Sequence, residues 1–256
     1  MNDTRRFGRN FGAIAFAQLV SQVLTLIISV VLARALGVEQ YGVFVFALAF
    51  PSWFLLLTSL GMDAVLTIDV AADRSKARSY LTALVVLRIP LVLATLAVLW
   101  FFVQLTLSDP VARIITMILG TTSILTTYAG TFRSVFQAFE RLEYGALVTI
   151  VERVITTAGV LVLLFLGFGL LEVSLVFLLG SIVSLGLLIV ITRTRFVWLE
   201  RRVDRATVTH IVRRTIPFAL AAVVSTFLYT SGPVLLTILQ DPSATGEFNA
   251  AFDVRL

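Results

Sequence analysis

Apolar residues run through this chain in long blocks, separated by short and mostly basic connections. A membrane-spanning helix needs about 20 predominantly apolar residues. Seven blocks reach that length, over residues 11–36, 41–68, 79–107, 112–139, 145–168, 172–192 and 213–239. Residues after Glu247 read as the beginning of an eighth helix. The pattern therefore predicts an all-α fold, a polytopic membrane helix bundle. It divides into a six-helix N-terminal lobe over 1–195, a basic linker over 196–212, and the start of a second lobe over 213–256. The first block is too long for the apolar stretch of a signal peptide, about 7–15 residues, and no small-residue cleavage site follows it.

Within the blocks, polar residues fall at helical spacing. Gln18, Gln22, Thr25 and Ser29 share one face of the first helix. Thr122, Thr126, Gly130 and Arg133 share a face of the fourth, and Ser225 and Tyr229 a face of the seventh. Hydroxyl and amide side chains inside a span commonly bond helices to one another. Three such stripes in one chain also suit a water-filled cavity that hydrogen-bonds sugars. Prolines fall inside spans at Pro51 and at Gly232–Pro233, and Pro90, near Arg88 in the third block, is a third candidate. Proline removes a backbone donor and kinks a helix, so each position is either a packing kink or a hinge or gate.

A degenerate repeat is present. The shift that places Gly42 on Gly246 also places Phe44 on Phe248, Ala47 on Ala251, Leu32 on Leu236 and Ser21 on Ser225. Internal repeats suit transporters, because one repeat rocks against another. Gly37 and Gly42 read as turn residues of the hairpin that joins the first two helices.

Composition sharpens the class. Of 256 residues, 59% are hydrophobic and only 14% charged, with a mean hydropathy of +1.00. Soluble domains carry roughly 25% charged residues. Cysteine is absent and histidine occurs once, at His210. This excludes disulfides, thiolate metal sites and a His-based nucleophilic triad, and predicts no metal and no cofactor.

The net charge of +5 reflects topology rather than nucleic acid. Arg5, Arg6 and Arg9, then Arg74, Lys76 and Arg78, then Arg141, then the arginines from Arg193 to Arg214 fall on one side of the bundle. The other side has Arg34 and Arg113. Lys and Arg mark cytoplasmic loops, so the N-terminus is expected in the cytoplasm of a cell membrane protein.

Charges inside spans are costly and usually face the bundle interior. Arg88, Arg133 and Arg153 come from three consecutive helices and lie at similar depth, on the order of 9–12 Å from the basic side. Asp63, Glu140 and Glu152 are candidate counter-ions in the same half. The arginines are either structural ion pairs or a basic site for an anionic head group entering from the cytoplasm.

Three stretches carry a family resemblance: LARALGVEQYGVFVFALAF, LGMDAVLTIDVAADRSKARSYLTALVVLRI and FRSVFQAFERLEYGALVTIVERV. The chain resembles the polysaccharide and oligosaccharide flippases, of the superfamily that includes multidrug and toxin extruders. The resemblance implies two six-helix lobes around a central cavity. It also implies outward flipping of a polyprenyl-diphosphate-linked oligosaccharide by alternating access, without covalent chemistry. The implied partners are that lipid-linked substrate, membrane lipid and a further C-terminal lobe, or a second copy of the chain in its place. In that family a charged residue often stands where Thr230 to Pro233 stand here, and a basic one where Asp69 stands. The alternatives are an extruder of cations, a non-transporting scaffold and a membrane enzyme of glycan synthesis. The carboxylates near the basic side disfavour the extruder, and the lack of clustered acidic ligands disfavours metal-assisted phosphoryl chemistry.

Overall fold

The computed structural model describes residues 2–200 and 203–220, with the side chains of all of these but 2–17, 38–39 and 56–57. The rest of the seventh and eighth helices, with Gly232, Pro233, Ser225 and Tyr229, lies outside the described residues. The described chain is helical throughout: α1 (Asn2–Ser59), α2 (Met62–Ala72), α3 (Ala77–Thr106), α4 (Pro110–Ala138), α5 (Leu142–Phe165) and α6 (Leu170–Ile191). Residues 205–220 form a further helix, α7.

The expected hairpin after the first span is a single-residue fold inside α1. Gly37 adopts φ 77° and ψ 172°, backbone that is essentially restricted to glycine. Ser29 and Tyr41 would lie about 18 Å apart on a straight helix. Their hydroxyls are 2.8 Å apart across the fold. Gly42 is helical and takes no part in the turn.

The second span also differs from expectation. Its helix runs unbroken through Pro51 and stops at Leu60–Gly61, both in the left-handed region. Pro51 instead packs on α4, where a Cβ added to Gly120 would lie 3.3 Å from the proline ring. Gly61 is required twice over. Its φ is 75°, and an added Cβ would lie 2.6 Å from the Cβ of Phe218 on α7. Left-handed backbone costs an ordinary residue roughly 1–2 kcal/mol. Gly61→Ala is therefore expected to lower the melting temperature of the purified protein and to lose α7 docking. Unchanged melting would mean that α7 moves aside without cost.

The other ends are defined by side chains. Asp109 accepts from the amides of Val111 and Ala112, with Pro110 opening α4, as N-cap chemistry favours. Asp204 opens α7 in the same way. The Thr207 hydroxyl and the Thr207 and Ala206 amides donate to it, holding its carboxyl below the usual carboxylate range. Arg113 donates to the Leu107 carbonyl and to Gln104 at 2.7 and 2.9 Å, tying the α3–α4 connection.

α4 touches every other helix from α1 to α6 and is the axis of the bundle. Its first half packs with Ile28, Leu32, Phe44, Val160 and Val173. Its last half packs with Leu66, Leu81, Leu84, Leu188 and Ile211. That second end gathers the connections that carry Arg74, Lys76, Arg141, Arg193 and Arg195, at 73–76, 139–141 and 192–200.

The outer surface is apolar: Phe165, Leu105, Leu19 and Leu26 are among many large side chains left open. Soluble monomers rarely carry apolar patches beyond a few hundred Å². Five described helices are long and apolar enough to cross a membrane, and the chain is an all-α polytopic membrane protein. Within the second apolar block, Gln40–Leu55 is a further apolar helical stretch.

Candidate functional site

The polar stripes of α1 and α4 meet across a cavity of about 690 Å³. Thr25 and Ser29 line it from α1, Thr122 and Thr126 from α4, and Glu152 and Arg153 from α5. Four of the expected stripe residues thus share one space with one of the expected arginines. Helical spacing alone brings in the rest of the wall: Ser123 and Thr127 beside the α4 stripe, and Thr156 one turn beyond Glu152. Tyr41 enters from across the Gly37 fold.

The threonine wall has a definite polarity. The Thr25, Thr122, Thr126 and Thr156 hydroxyls each donate to the backbone carbonyl four residues earlier, at 2.7–3.0 Å. Ser123 and Thr127 do the same. Each hydroxyl has one proton and two lone pairs. With the proton used in the helix, the wall presents acceptors. A ligand rich in hydroxyl donors fits such a wall.

The three arginines are dealt with separately. Arg88 is fully buried and belongs to an ion pair, its Nη2 2.8 Å from Asp63. Its Nη1 donates to Thr131 Oγ1 at 2.5 Å and to the Thr127 carbonyl at 3.2 Å. Gly130 leaves room for this pair, since an added Cβ would lie 2.9 Å from Asp63 Oδ2. Arg133 Nη2 lies 3.3 Å from Glu152 Oε2. Arg133 also lines a smaller cavity of about 170 Å³ together with Gln18. Glu152 faces the large cavity, so this ion pair stands between the two spaces.

Arg153 is half-buried and has no ion pair among the described residues. The three arginines expected at one depth therefore do not form one cluster: each faces a different neighbour. Gln22 is exposed and lines neither cavity. Glu140 sits on the exposed turn after α4, in the left-handed region at φ 58°.

Sequence reasoning missed the role of Asp69. It is buried and accepts from the Tyr80 hydroxyl at 2.9 Å. His210 Nε2 lies 3.2 Å away, and Arg214 donates to its other oxygen. The signal was present: an acid in a family position that is often basic, and one histidine in the following basic helix.

The arrangement of helices is similar to that of two solved structures. A transporter of the MOP superfamily from Pyrococcus furiosus Vc1 (DSM3638), described with a binding pocket of reversed polarity, is 12% identical with a TM-score of 0.71. The match covers 96% of this chain and 59% of that one. A point mutant of a MATE protein is 14% identical, with a TM-score of 0.73 over 96% of this chain and 60% of that one. The chain thus spans about three fifths of the length of these structures. No protein of curated function matches it. The chain belongs to the polysaccharide biosynthesis protein family, whose pattern matches residues 7–256.

Proposed function

We propose that this chain supplies the first lobe of a flippase that moves a polyprenyl-diphosphate-linked oligosaccharide from the cytoplasmic to the outer leaflet. The observation that carries the reading is the cavity between α1, α4 and α5, with its acceptor wall and an Arg153 that has no ion pair among the described residues. Sugar hydroxyls donate to the threonines, and the diphosphate meets Arg153. Arginine binds phosphate oxygens in a bidentate fork and stays charged in the membrane. The prenyl chain stays in lipid against the apolar outer surface.

In this reading the end that gathers the basic connections faces the cytoplasm, by the excess of Lys and Arg there. The second wall of the transport cavity comes from a C-terminal lobe that rocks against the first. The chain does no covalent chemistry. A cation extruder fits less well, because Glu152 and Asp63 are each already paired with an arginine.

The test uses the complete gene, whose product lacks native cysteine over these 256 residues. Cysteines placed singly at Thr25, Ser29, Thr122 and Thr126 are expected to react with a membrane-impermeant thiol reagent. Lipid-linked oligosaccharide is expected to slow that reaction, and the same protein in proteoliposomes to flip the lipid. Uniform protection at all four without substrate would mean that the stripes are packing contacts. Labelling unaffected by the glycolipid, with no flipping, would remove this substrate class.

A further inference from the structure

The helix after the basic connection has three faces. Val208, Ile211 and Phe218 pack against the bundle core, and Ile211 is fully buried. Val212, Ile216 and Leu220 recur every four residues and are 44%, 55% and 63% exposed, an apolar stripe left open among the described elements. Between these faces, Arg205, Thr209, His210, Arg213 and Arg214 border a concavity of about 470 Å³.

This concavity is built rather than merely charged. Asp69 of α2 stands behind the His210 and Arg214 side of it, buried, and held there by the Tyr80 hydroxyl of α3. It orients His210 and Arg214 through its two oxygens. A second bond, from Ser79 Oγ to Thr207 Oγ1 at 3.2 Å, fixes the first turn of α7 on α3. Asp69 neutralises one guanidinium. Arg205 and Arg213 are exposed and have no acidic partner among the described residues. Three guanidinium charges less one carboxylate leave two positive charges around one small space.

We propose that this concavity binds the phosphodiester head group of an anionic membrane lipid. Arginine forks match phosphate oxygens, and the Thr209 hydroxyl adds a neutral donor. The adjoining Val212–Ile216–Leu220 stripe, where the seventh apolar block begins, gives the acyl chains an apolar track on the same helix. A free phosphate would use the arginines but leave this stripe without a function. The site lies at the basic end of the bundle, where polybasic segments meet anionic head groups. It does not depend on the transport cavity and stands or falls apart from the flippase reading. A lipid held there would join the connection between lobes to α2 and α3 through Asp69.

The experiment titrates the delipidated full-length protein with phosphatidylglycerol and with phosphatidylcholine, counting bound lipids by native mass spectrometry. The wild type is expected to prefer phosphatidylglycerol by about tenfold or more. The double variant Arg205→Gln/Arg213→Gln is expected to fall to within about twofold between the two lipids. Both arginines are exposed, so the variant folds, and its elution profile verifies that. A second double variant, Lys76→Gln/Arg78→Gln, removes the same charge from the same end outside the concavity. It is expected to keep the preference. Equal loss in both double variants would overturn the site in favour of diffuse charge. Retained preference in Arg205→Gln/Arg213→Gln would overturn it outright. Inorganic phosphate displacing the lipid at equal concentration would reassign the site to a free anion.

Discussion

Replacing Arg88 with Ala is expected to remove most folded protein from the membrane. The side chain is fully buried, and its guanidinium serves Asp63, Thr131 and the Thr127 carbonyl at once. Without it, the Asp63 carboxylate faces Gly130 with no counter-charge, and its Oδ1 already lacks a hydrogen-bond partner. Breaking a buried ion pair from one side costs about 3–5 kcal/mol. Whole-protein stabilities are on the order of 5–15 kcal/mol, so a loss of this size shows as yield. The pair itself is replaceable, because well-packed apolar residues often match or exceed a buried ion pair. Arg88→Met combined with Asp63→Leu is expected to recover much of the yield lost by Arg88→Ala. Fluorescence-detected size exclusion of the full-length gene product reads both. Wild-type yield for Arg88→Ala would show that Asp63 finds another partner, and would return Arg88 to the candidate substrate contacts.

The contrast between Arg88 and Arg153 shows what was legible in the chain and what was not. Segment length and apolar content were sufficient for α3 to α6, because a lipid-facing span admits few alternatives. The faces of α1 and α4 were legible too, since side chains three or four apart share a face whatever surrounds the helix. Thr25, Ser29, Thr122 and Thr126 do meet.

Helical rise gave an expected depth, but it carries no information on rotation. Arg88, Arg133 and Arg153 were grouped by depth, yet the structure gives them three different neighbourhoods. Nothing within one helix says which neighbour an arginine will face. The break at Gly61 was hidden for a related reason. Leu60 and Gly61 look like ordinary span residues until Phe218, far along the chain, packs against the glycine. Pro51 gave the stronger local signal, yet the helix runs on through it, with its ring against Gly120 of α4.

Arg153→Ala is expected to have the opposite phenotype: normal yield and a large loss of transport. No described carboxylate depends on this arginine, since Glu152 beside it is engaged by Arg133. Its removal strands nothing among the described residues, so the folded protein should accumulate as in the wild type. Under the proposed function, the substrate diphosphate loses the one cationic partner that the cavity offers among the described residues. Hydrogen bonds to charged groups are worth roughly 1.5–3 kcal/mol, a factor of about 10 to 100 at ~1.4 kcal/mol per decade. Complementation of a flippase-deficient strain should fail or weaken accordingly, and flipping in proteoliposomes should slow by that factor. Arg153→Lys is expected to recover part of the rate, because an ammonium keeps the charge but loses the bidentate fork. Glu152→Gln separates the neighbours. It frees Arg133 to face the cavity and removes a negative charge next to Arg153, so affinity for a diphosphate should rise while folded yield falls. A soluble prenyl diphosphate serves as the probe, with binding and yield measured on the same preparations. Full transport by Arg153→Ala would place the diphosphate elsewhere and leave the acceptor wall as the substrate contact. Weaker diphosphate binding by Glu152→Gln would mean that the carboxylate itself touches the substrate rather than standing in for it at Arg133.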